Sequence, residues 1–427
     1  MLQLIRKRLR AIFLLSLLAV WGVAYFSGNA VFAMPLFARR LGVPCSTCHT
    51  SPPRLNETGY QFRAAGYRWV SNVGKSGEKK PFNFFDYNGV RLQGRLDAIH
   101  TNQGSAETQT NTFNLFALEL YPFTGAWGKY LSSNLKTTIF RKKPSDTESH
   151  LRFDGNVKLT LGSKKRFYEI RAGLPFAMEG FGASDAAITN TRPYLQDNAA
   201  NFNQTTIFTP SKVHQAGGTL GYYQGRTSIQ ALIRSGMRFT DVQKINDPFM
   251  NSLSPFIDRG ADFQLNVNRI LHHNGGGVSL YYFHGSMALP ILSPTGAIQT
   301  GRFFQNDFER IAFYASYPVA KRLTLLGGVQ RGRDDIVTGG RFTSLGAYTE
   351  AAVPLINDLT QAGVRFDWFD QARNKNRNEI YGVTSYMNLW VRDQFRFVAE
   401  YQLKERRQAP LPNRKDNAFQ LRLIYIK

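Results

Sequence analysis

The two cysteines of this 427-residue chain lie in one short motif, C-S-T-C-H, at residues 45–49. A C-x-x-C-H motif is typical of covalent haem attachment, in which both thiols add across the haem vinyl groups. Cys45 and Cys48 would form the thioether links, and His49 would bind the haem iron as its proximal ligand. The motif therefore predicts one haem c, while a lone disulfide or a thiol redox pair stays open as the alternative.

The first 33 residues have the features of an export signal. A basic stretch at 6–10 precedes an apolar run at 11–26. The region ends in an A-x-A-like cleavage motif whose last residue is Ala33. We expect cleavage after Ala33, which agrees with the motif because c-type haem is attached outside the cytoplasm. The alternative is an uncleaved inner-membrane anchor, since the apolar run is near the shortest length that spans a bilayer.

The chain is strongly basic. Its formal net charge of +23 falls to +19 when the four basic residues of the signal are removed. Nucleic acid is not an expected partner of an exported protein. A basic excess favours contact with anionic lipid headgroups or a positively charged pore lining.

Beyond about residue 84, apolar and polar residues alternate with a period of two, as in strands whose two faces meet different solvents. Sixteen runs show this pattern: 87–100, 112–123, 129–141, 150–161, 165–175, 209–223, 227–236, 258–270, 276–286, 303–317, 321–331, 343–354, 361–370, 378–390, 393–404 and 416–426. They predict an all-β fold, a 16-stranded antiparallel transmembrane β-barrel with a short N-terminal helical c-type haem segment. A soluble β-sandwich or an enclosed soluble barrel is the alternative.

The links between these runs alternate in length. Links after odd runs are long and polar, as at 101–111 and 176–208, whereas links after even runs are short. Outer-membrane barrels show this alternation, with long extracellular loops and short periplasmic turns. The pattern places both barrel ends, and therefore the start of the haem segment, on the periplasmic side.

Three regions follow: a signal peptide at 1–33, a monohaem cytochrome c segment at 34–82 and an outer-membrane barrel at 83–427. The middle segment is too small for an independent core, so we expect it to plug the barrel. Pro52 and Pro53 are expected to open a helix within it. Four residues share one face of that helix: Leu55, Gly59, Phe62 and Gly66. The two glycines allow a close approach either to the flat macrocycle or to the barrel wall. No spacing selects the sixth iron ligand.

The segment 35–67 resembles the fused cytochrome–porins of bacterial outer membranes. That family carries F-A-R-x-x-G-x-x-C-x-x-C-H, then P-x-L-N-x-x-G and a second G-Y, before a sixteen-stranded barrel. The matching residues are Phe37, Ala38, Arg39, Gly42, Cys45, Cys48, His49, Pro53, Leu55, Asn56, Gly59, Gly66 and Tyr67. The resemblance implies an outer-membrane oxidoreductase that passes single electrons from an extracellular donor, Fe(II) in some members, to a periplasmic carrier such as a soluble cytochrome.

Two other functions remain open on the residues. One is a basic, anion-selective porin whose haem segment acts as a gate or sensor. It draws on five arginines that the alternation directs into the lumen: Arg91, Arg95, Arg365, Arg396 and Arg422. The other is haem enzymology such as peroxide reduction, which would need an open iron position.

Overall fold

The computed structural model describes residues 36–51, 54–75, 87–141, 152–173, 193–194, 216–235, 261–292, 298–320, 323–335, 341–355, 360–370, 378–391, 395–408 and 412–426. The expected signal at 1–33 lies outside the described residues. So do Pro52, Pro53 and most of the long polar links.

The N-terminal segment is built from short elements. In chain order they are α1 (Leu36–Leu41), a 3-10 turn (Cys45–Thr47), β1 (His49–Ser51), β2 (Arg54–Leu55), α2 (Glu57–Ala64) and a second 3-10 turn (Val70–Asn72). Strands β1 and β2 form a small antiparallel ladder of their own. No helix of the described part of the chain is long and apolar enough to cross a membrane.

Helix α2 starts later than the sequence predicted. The expectation that Pro52 and Pro53 open it is wrong, because the helix begins at Glu57. Asn56 caps it, and its side-chain oxygen accepts a hydrogen bond from the Gly59 N–H at 2.9 Å. Asparagine is a strong N-cap, and Arg54 and Leu55 just before it form β2 instead.

The rest of the described chain forms one barrel. Its strands are β3 (Gly89–Gln103), β4 (Ala106–Tyr121), β5 (Gly125–Trp127), β6 (Leu131–Arg141), β7 (Arg152–Gly162), β8 (Arg166–Gly173), β9 (Gly217–Gln224), β10 (Thr227–Ser235), β11 (Ala261–His272), β12 (Gly276–Leu292), β13 (Ile298–Ala320), β14 (Leu323–Asp335), β15 (Arg341–Pro354), β16 (Gln361–Asp370), β17 (Asn378–Val391), β18 (Phe395–Gln408) and β19 (Arg414–Ile426).

Each strand pairs antiparallel with its neighbours, and β19 returns to pair with β3, which closes the sheet. The three-residue β5 is a short piece beside β6 in the turn between β4 and β6. Without it, the described residues form sixteen barrel strands, in the order of the sixteen runs. The prediction of a closed 16-stranded antiparallel barrel is therefore confirmed.

The first link differs from its prediction. Residues 101–111 were expected to form a long polar loop, but β3 continues to Gln103, β4 starts at Ala106, and Gly104 turns the chain at a φ of +61°. Both strands carry polar side chains on both faces here, and most of those on β4 are exposed. A hairpin that rises beyond the bilayer has water on both sides, so it loses the apolar alternation on which strand prediction relies.

The barrel is apolar outside and polar inside. Phe153, Leu220 and Ile233 on the outer face are 60% or more exposed, whereas Arg310 and Arg365 on the inner face are fully buried. A soluble β-fold would bury the first group and expose the second. The outward apolar belt is the surface that membrane lipid contacts in a transmembrane barrel, and the soluble alternative is wrong.

Candidate functional site

The C-x-x-C-H motif forms one tight turn. Cys45–Thr47 make a single turn of 3-10 helix, and the Cys48 N–H donates to the carbonyl oxygen of Cys45 at 3.1 Å. Side chains three residues apart eclipse one another in this geometry, so both thiols come to one side of the turn. Cys45 is buried, Cys48 is half-buried, and no disulfide joins them.

Burial also affects the reactivity of the second thiol. It raises the pKa of the Cys48 thiol above its usual value. A thiol redox pair reacts through a thiolate and depends on a lowered pKa. The Cys48 thiol is therefore shifted away from the thiolate form.

His49 follows the turn and opens β1. Its Nδ1 lies 3.2 Å from the carbonyl oxygen of Arg54 on β2. Because a carbonyl oxygen only accepts, Nδ1 carries the ring hydrogen and the lone pair lies on Nε2. Metal-binding histidines are commonly oriented by such a hydrogen bond, which fixes the tautomer and the ring plane. The motif histidine is therefore held in a form that can bind iron through Nε2.

Arg54 also joins the segment to the barrel wall. Its guanidinium pairs with the Glu350 carboxylate on β15, and the two side chains are 8% and 5% exposed. The Tyr386 hydroxyl on β17 donates to the same carboxylate. The backbone of Arg54 thus contacts the His49 ring, and the side chain of Arg54 contacts the lumen wall. The motif pattern gave no sign of this contact, because its two charges are almost 300 residues apart.

Asn56 ties the motif turn to α2. Its side-chain amide donates to the carbonyl oxygens of Ser46 and Thr47, each at 3.1 Å, and its backbone N–H donates to Cys48 at 3.0 Å. Gly59 completes the contact, since a Cβ there would overlap the Cys48 carbonyl oxygen. The close approach predicted for this glycine is therefore made to the motif turn itself.

The second predicted glycine has another neighbour. A Cβ at Gly66 would crowd the side chains of Ser132 and Thr160, which agrees with the barrel-wall interpretation. Gly66 lies beyond the end of α2, as Leu55 lies before its start. The shared helical face expected for the four residues is therefore only partly formed.

Aromatic rings pack against one another beside α2. Phe37 stacks on Tyr67 with ring centroids 4.8 Å apart, and Phe62 lies edge-on to Phe37 at 5.4 Å. Trp69 approaches Phe62 at 5.3 Å. Phe37, Phe62 and Tyr67 are among the residues that the sequence patterns singled out, whereas Trp69 is not. The run of aromatic residues after Gly66 was the available signal for it.

The segment contacts the barrel at the mouth that the short turns form. Both carboxylate oxygens of Glu57 accept from the Arg226 guanidinium, at 2.8 and 2.7 Å. The Glu57 N–H donates to the carbonyl oxygen of His273 at 2.9 Å, and the Thr50 hydroxyl donates to that of Asn274. These partners lie in the β9–β10 and β11–β12 turns, which the sequence predicted to be periplasmic.

A small apolar cluster adds to these polar contacts. Ala65 and Val73 of the segment pack with Phe167 on β8 and Tyr223 on β9, whose rings stack 4.8 Å apart. Beside it, α2 and the wall of β8–β11 line an open pocket of about 170 Å³. The segment is therefore seated against the inner wall by burial as well as by charge.

Two of the five predicted lumen arginines are neutralised within their own strand. Arg95 pairs with Asp97 at 2.7 Å, and Arg365 pairs with Asp367 at 2.7 Å. Residues two apart share a face of a strand, so each pair forms without help from another element. These arginines contribute little net charge to the lumen.

The other three are brought together across β18, β19 and β3. Arg91 and Arg422 lie close enough to Arg396 for their positive charges to repel its own. Arg91 reaches Glu119 on β4 at 3.3 Å, but Lys136 on β6 lies 3.6 Å from the same carboxylate. One acidic group is thus shared by two cations.

Solved structures with the same architecture are known. The anion-selective porin from Comamonas acidovorans matches 80% of this chain and 100% of its own, with a TM-score of 0.54 and 13% identity. The fold is that of a porin. OmpT, an outer membrane protein of Vibrio cholerae, matches in its trimer form over 80% of this chain and 99% of its own, at a TM-score of 0.52 and 10% identity. At these identities the likeness concerns the porin fold alone. No family model matches the chain. A search of curated proteins also found no match.

Proposed function

We propose that this porin-like chain is an outer-membrane cytochrome–porin that carries single electrons between an extracellular donor and a periplasmic carrier through one covalent haem c. The observation that carries the proposal is the position of the C-x-x-C-H turn. It is seated in the mouth of a transmembrane barrel, with His49 oriented by Arg54 and Arg54 bonded to the lumen wall. The segment 34–82 is on this proposal a plug that holds the cofactor.

The donor set fits a c-type haem. Cys45 and Cys48 stand on one side of a single turn, where they can form two thioether links, and His49 offers Nε2 to the iron. When bound, the haem supplies a reversible one-electron couple. His49, oriented by Arg54, would then hold the haem. Asn56 and α2 would keep the motif turn in its observed conformation.

The barrel has two tasks in this proposal. It spans the membrane hydrocarbon core, about 30 Å thick, which a hydrated ion such as Fe(II) does not cross unaided. It also leaves the lumen as the way in from the long-loop side, so the extracellular donor must be small enough to enter. Fe(II) meets that condition, and the paired Arg95 and Arg365 lower the positive field that it would encounter.

The first experiment is a redox titration of the purified protein followed by visible spectroscopy. Fe(II) and a reduced small organic donor are then mixed with the oxidised protein, and a soluble c-type cytochrome with the reduced protein. The proposal expects a reversible one-electron wave, reduction by a donor and reoxidation by the cytochrome. A haem that no donor reduces would overturn it.

A second candidate function is favoured by the grouping of Arg91, Arg396 and Arg422 on the lumen wall. In it the chain is a basic, anion-selective porin, and the segment at the mouth acts as a gate or sensor. Liposome flux separates the two candidates. Rapid anion leakage from vesicles, together with a haem that takes no part in redox reactions, would favour the porin.

A further inference from the structure

We propose that a patch of exposed lysines at the short-turn mouth is a docking surface for an acidic soluble electron-transfer protein. The patch, called the mouth patch below, consists of Lys75, Lys129, Lys164 and Lys165. The inference rests on the proposed electron-transfer function and adds to it the charge of the soluble carrier and the position at which it binds.

The lysines of the mouth patch come from parts of the chain that contact one another. Lys75 follows Gly74, where a Cβ would overlap the carbonyl oxygen of Gly162. The end of the N-terminal segment therefore touches the start of the β7–β8 turn. That turn carries Lys164 and Lys165, so three of the four lysines lie around one contact.

The fourth lysine, Lys129, is held beside β7 and the N-terminal segment. The Thr160 N–H on β7 donates to the carbonyl oxygen of Tyr130 at 2.9 Å. The Lys129 ammonium lies 4.8 Å from the centre of the Tyr130 ring. Arg68 of the segment donates to the carbonyl oxygen of Lys129. The β5–β6 turn thus continues the same surface.

The mouth patch carries positive charge that other described residues leave unpaired. All four side chains are exposed, and none of their ammonium groups forms an ion pair with a described residue. Among the described residues of the segment and of these two turns, the one acidic side chain is Glu57, which already pairs with Arg226. An acidic protein would therefore meet these charges without displacing a carboxylate of the chain itself.

The mouth patch faces the barrel mouth and not the lipid. Lys164 lines the open pocket between α2 and the barrel wall, together with Arg63 and Arg226. Lys75 belongs to the segment that sits inside the mouth. The lipid-facing side of β8 is marked instead by Tyr168, which is 53% exposed. A lipid headgroup would bind on that outer side, whereas a soluble protein can approach the mouth along the barrel axis.

The open pocket adds an apolar part to the docking surface. Its lining includes Ala64, Val70, Phe167 and Ile270, next to the cations. Apolar area bordered by charged groups is usual in protein interfaces, and complementary charges mainly raise the rate of association. Ala64 belongs to α2, which packs on the C-x-x-C-H turn at Gly59. A protein docked here would therefore lie against the segment that is proposed to hold the haem.

The test uses cytochrome c in two forms, unmodified and succinylated, because succinylation converts lysine ammonium groups into carboxylates. Binding of each form to the full detergent-solubilised chain, with its haem attached, is measured by biolayer interferometry. The ionic strength is about 0.1 M, at which exposed charges act over only about 10 Å. The succinylated form is expected to bind about tenfold more tightly than the basic unmodified form, or better.

The K75Q/K164Q variant is expected to lower the association rate constant of the succinylated form about three- to tenfold, with a smaller change in its dissociation rate. R166Q/R269Q is the matched control, since it removes the same charge from the short-turn end of the barrel. Arg166 shares the outer face of β8 with Tyr168, and Arg269 is exposed on β11. The control should bind the succinylated form as the unchanged chain does.

Three results would overturn the docking surface. They are equal binding of the two cytochrome forms, an equal loss in R166Q/R269Q, and loss of bound phosphatidylglycerol from K75Q/K164Q alone in native mass spectrometry, which would make a lipid headgroup the occupant. Heat-modifiable migration on gels confirms that each variant is a folded barrel. Electron transfer to the bound cytochrome is followed by visible absorbance on the same samples. Lysine-dependent binding without electron transfer would retain the surface for an acidic protein and contradict the electron-transfer function, so the two failures are distinguishable.

Discussion

The Nδ1 atom of His49 lies 3.2 Å from the carbonyl oxygen of Arg54, and the guanidinium of Arg54 is paired with Glu350 inside the barrel. The motif histidine is thus two contacts away from the lumen wall. A change in the wall can therefore reach the ring that is expected to bind iron, without any change in the C-x-x-C-H motif itself.

The Arg54–Glu350 pair gives the first prediction. E350Q leaves the Arg54 charge buried without its carboxylate, which typically costs about 3–5 kcal/mol. We expect the segment to loosen, which would appear as earlier proteolysis at the mouth, a lower melting temperature of the haem absorbance and a shifted midpoint potential.

The R54M/E350M double variant is the control, since replacing both partners of a buried pair by apolar groups is often nearly neutral. Recovery of the melting temperature in the double variant would assign the effect to the charge pair. A double variant as loose as E350Q would contradict it.

Gly59 gives a second prediction. G59A places a Cβ on the Cys48 carbonyl oxygen, so α2 must move away from the motif turn. We expect a clear fall in the fraction of protein that carries covalent haem, measured by the ratio of haem absorbance to total protein. G94A is the matched control, because no other atom lies within 4 Å of the position a Cβ would take there. Equal haem content in the two variants would count against the contact.

The hydrogen bonds of Asn56 give a third prediction. N56A removes the bonds to the Ser46 and Thr47 carbonyl oxygens and the cap on α2. Loss of the N-cap alone costs about 1 kcal/mol. The expected result is a lower thermal stability of the haem segment, followed by its absorbance, with barrel migration on gels unchanged. N56D retains a cap oxygen and loses the two hydrogen bonds that the side-chain amide donates. The thermal stability of its haem segment should therefore lie between that of N56A and that of the unchanged chain.

The contacts that hold the N-terminal segment against the barrel give a fourth prediction. Deletion of residues 36–75, with the signal retained, removes the contacts to the β9–β10 and β11–β12 turns and the Ala65–Phe167 packing. In planar bilayers we expect a larger single-channel conductance than that of the full chain. E57Q should change conductance little, because the Arg226 side chain of this pair is about half exposed and such pairs contribute only about 0–1 kcal/mol. Equal conductance of the deletion and the full chain would argue against a plug.

Most of the barrel could be predicted from the sequence because its strands separate two solvents. A lipid-facing side chain such as Leu220 and a lumen-facing one such as Thr219 must alternate, and that alternation is local. It fails where the solvent is the same on both sides, as in the hairpin around Gly104. The order and number of strands therefore follow from local pattern, while the height of each hairpin does not.

The motif turn could be predicted for the same reason, since its residues are adjacent in the chain. Its supports could not. Glu350 and Tyr386 are ordinary polar positions in a strand, and only barrel closure brings them to Arg54. The lumen arginines divide in the same way. The pairs of Arg95 with Asp97 and of Arg365 with Asp367 lie two residues apart in one strand and are local, whereas the approach of Arg91 and Arg422 to Arg396 depends on barrel closure.

Electron entry through the barrel is the central claim, and one measurement tests it directly. Full chain and its C45S/C48S variant are inserted into vesicles that enclose oxidised soluble cytochrome c, and Fe(II) is added outside. The account predicts reduction of the enclosed cytochrome at a rate that rises with the amount of protein and vanishes in the variant, after selection for vesicles with the segment facing inward. Enclosed cytochrome that stays oxidised with the full chain, or is reduced equally with the variant, would contradict it.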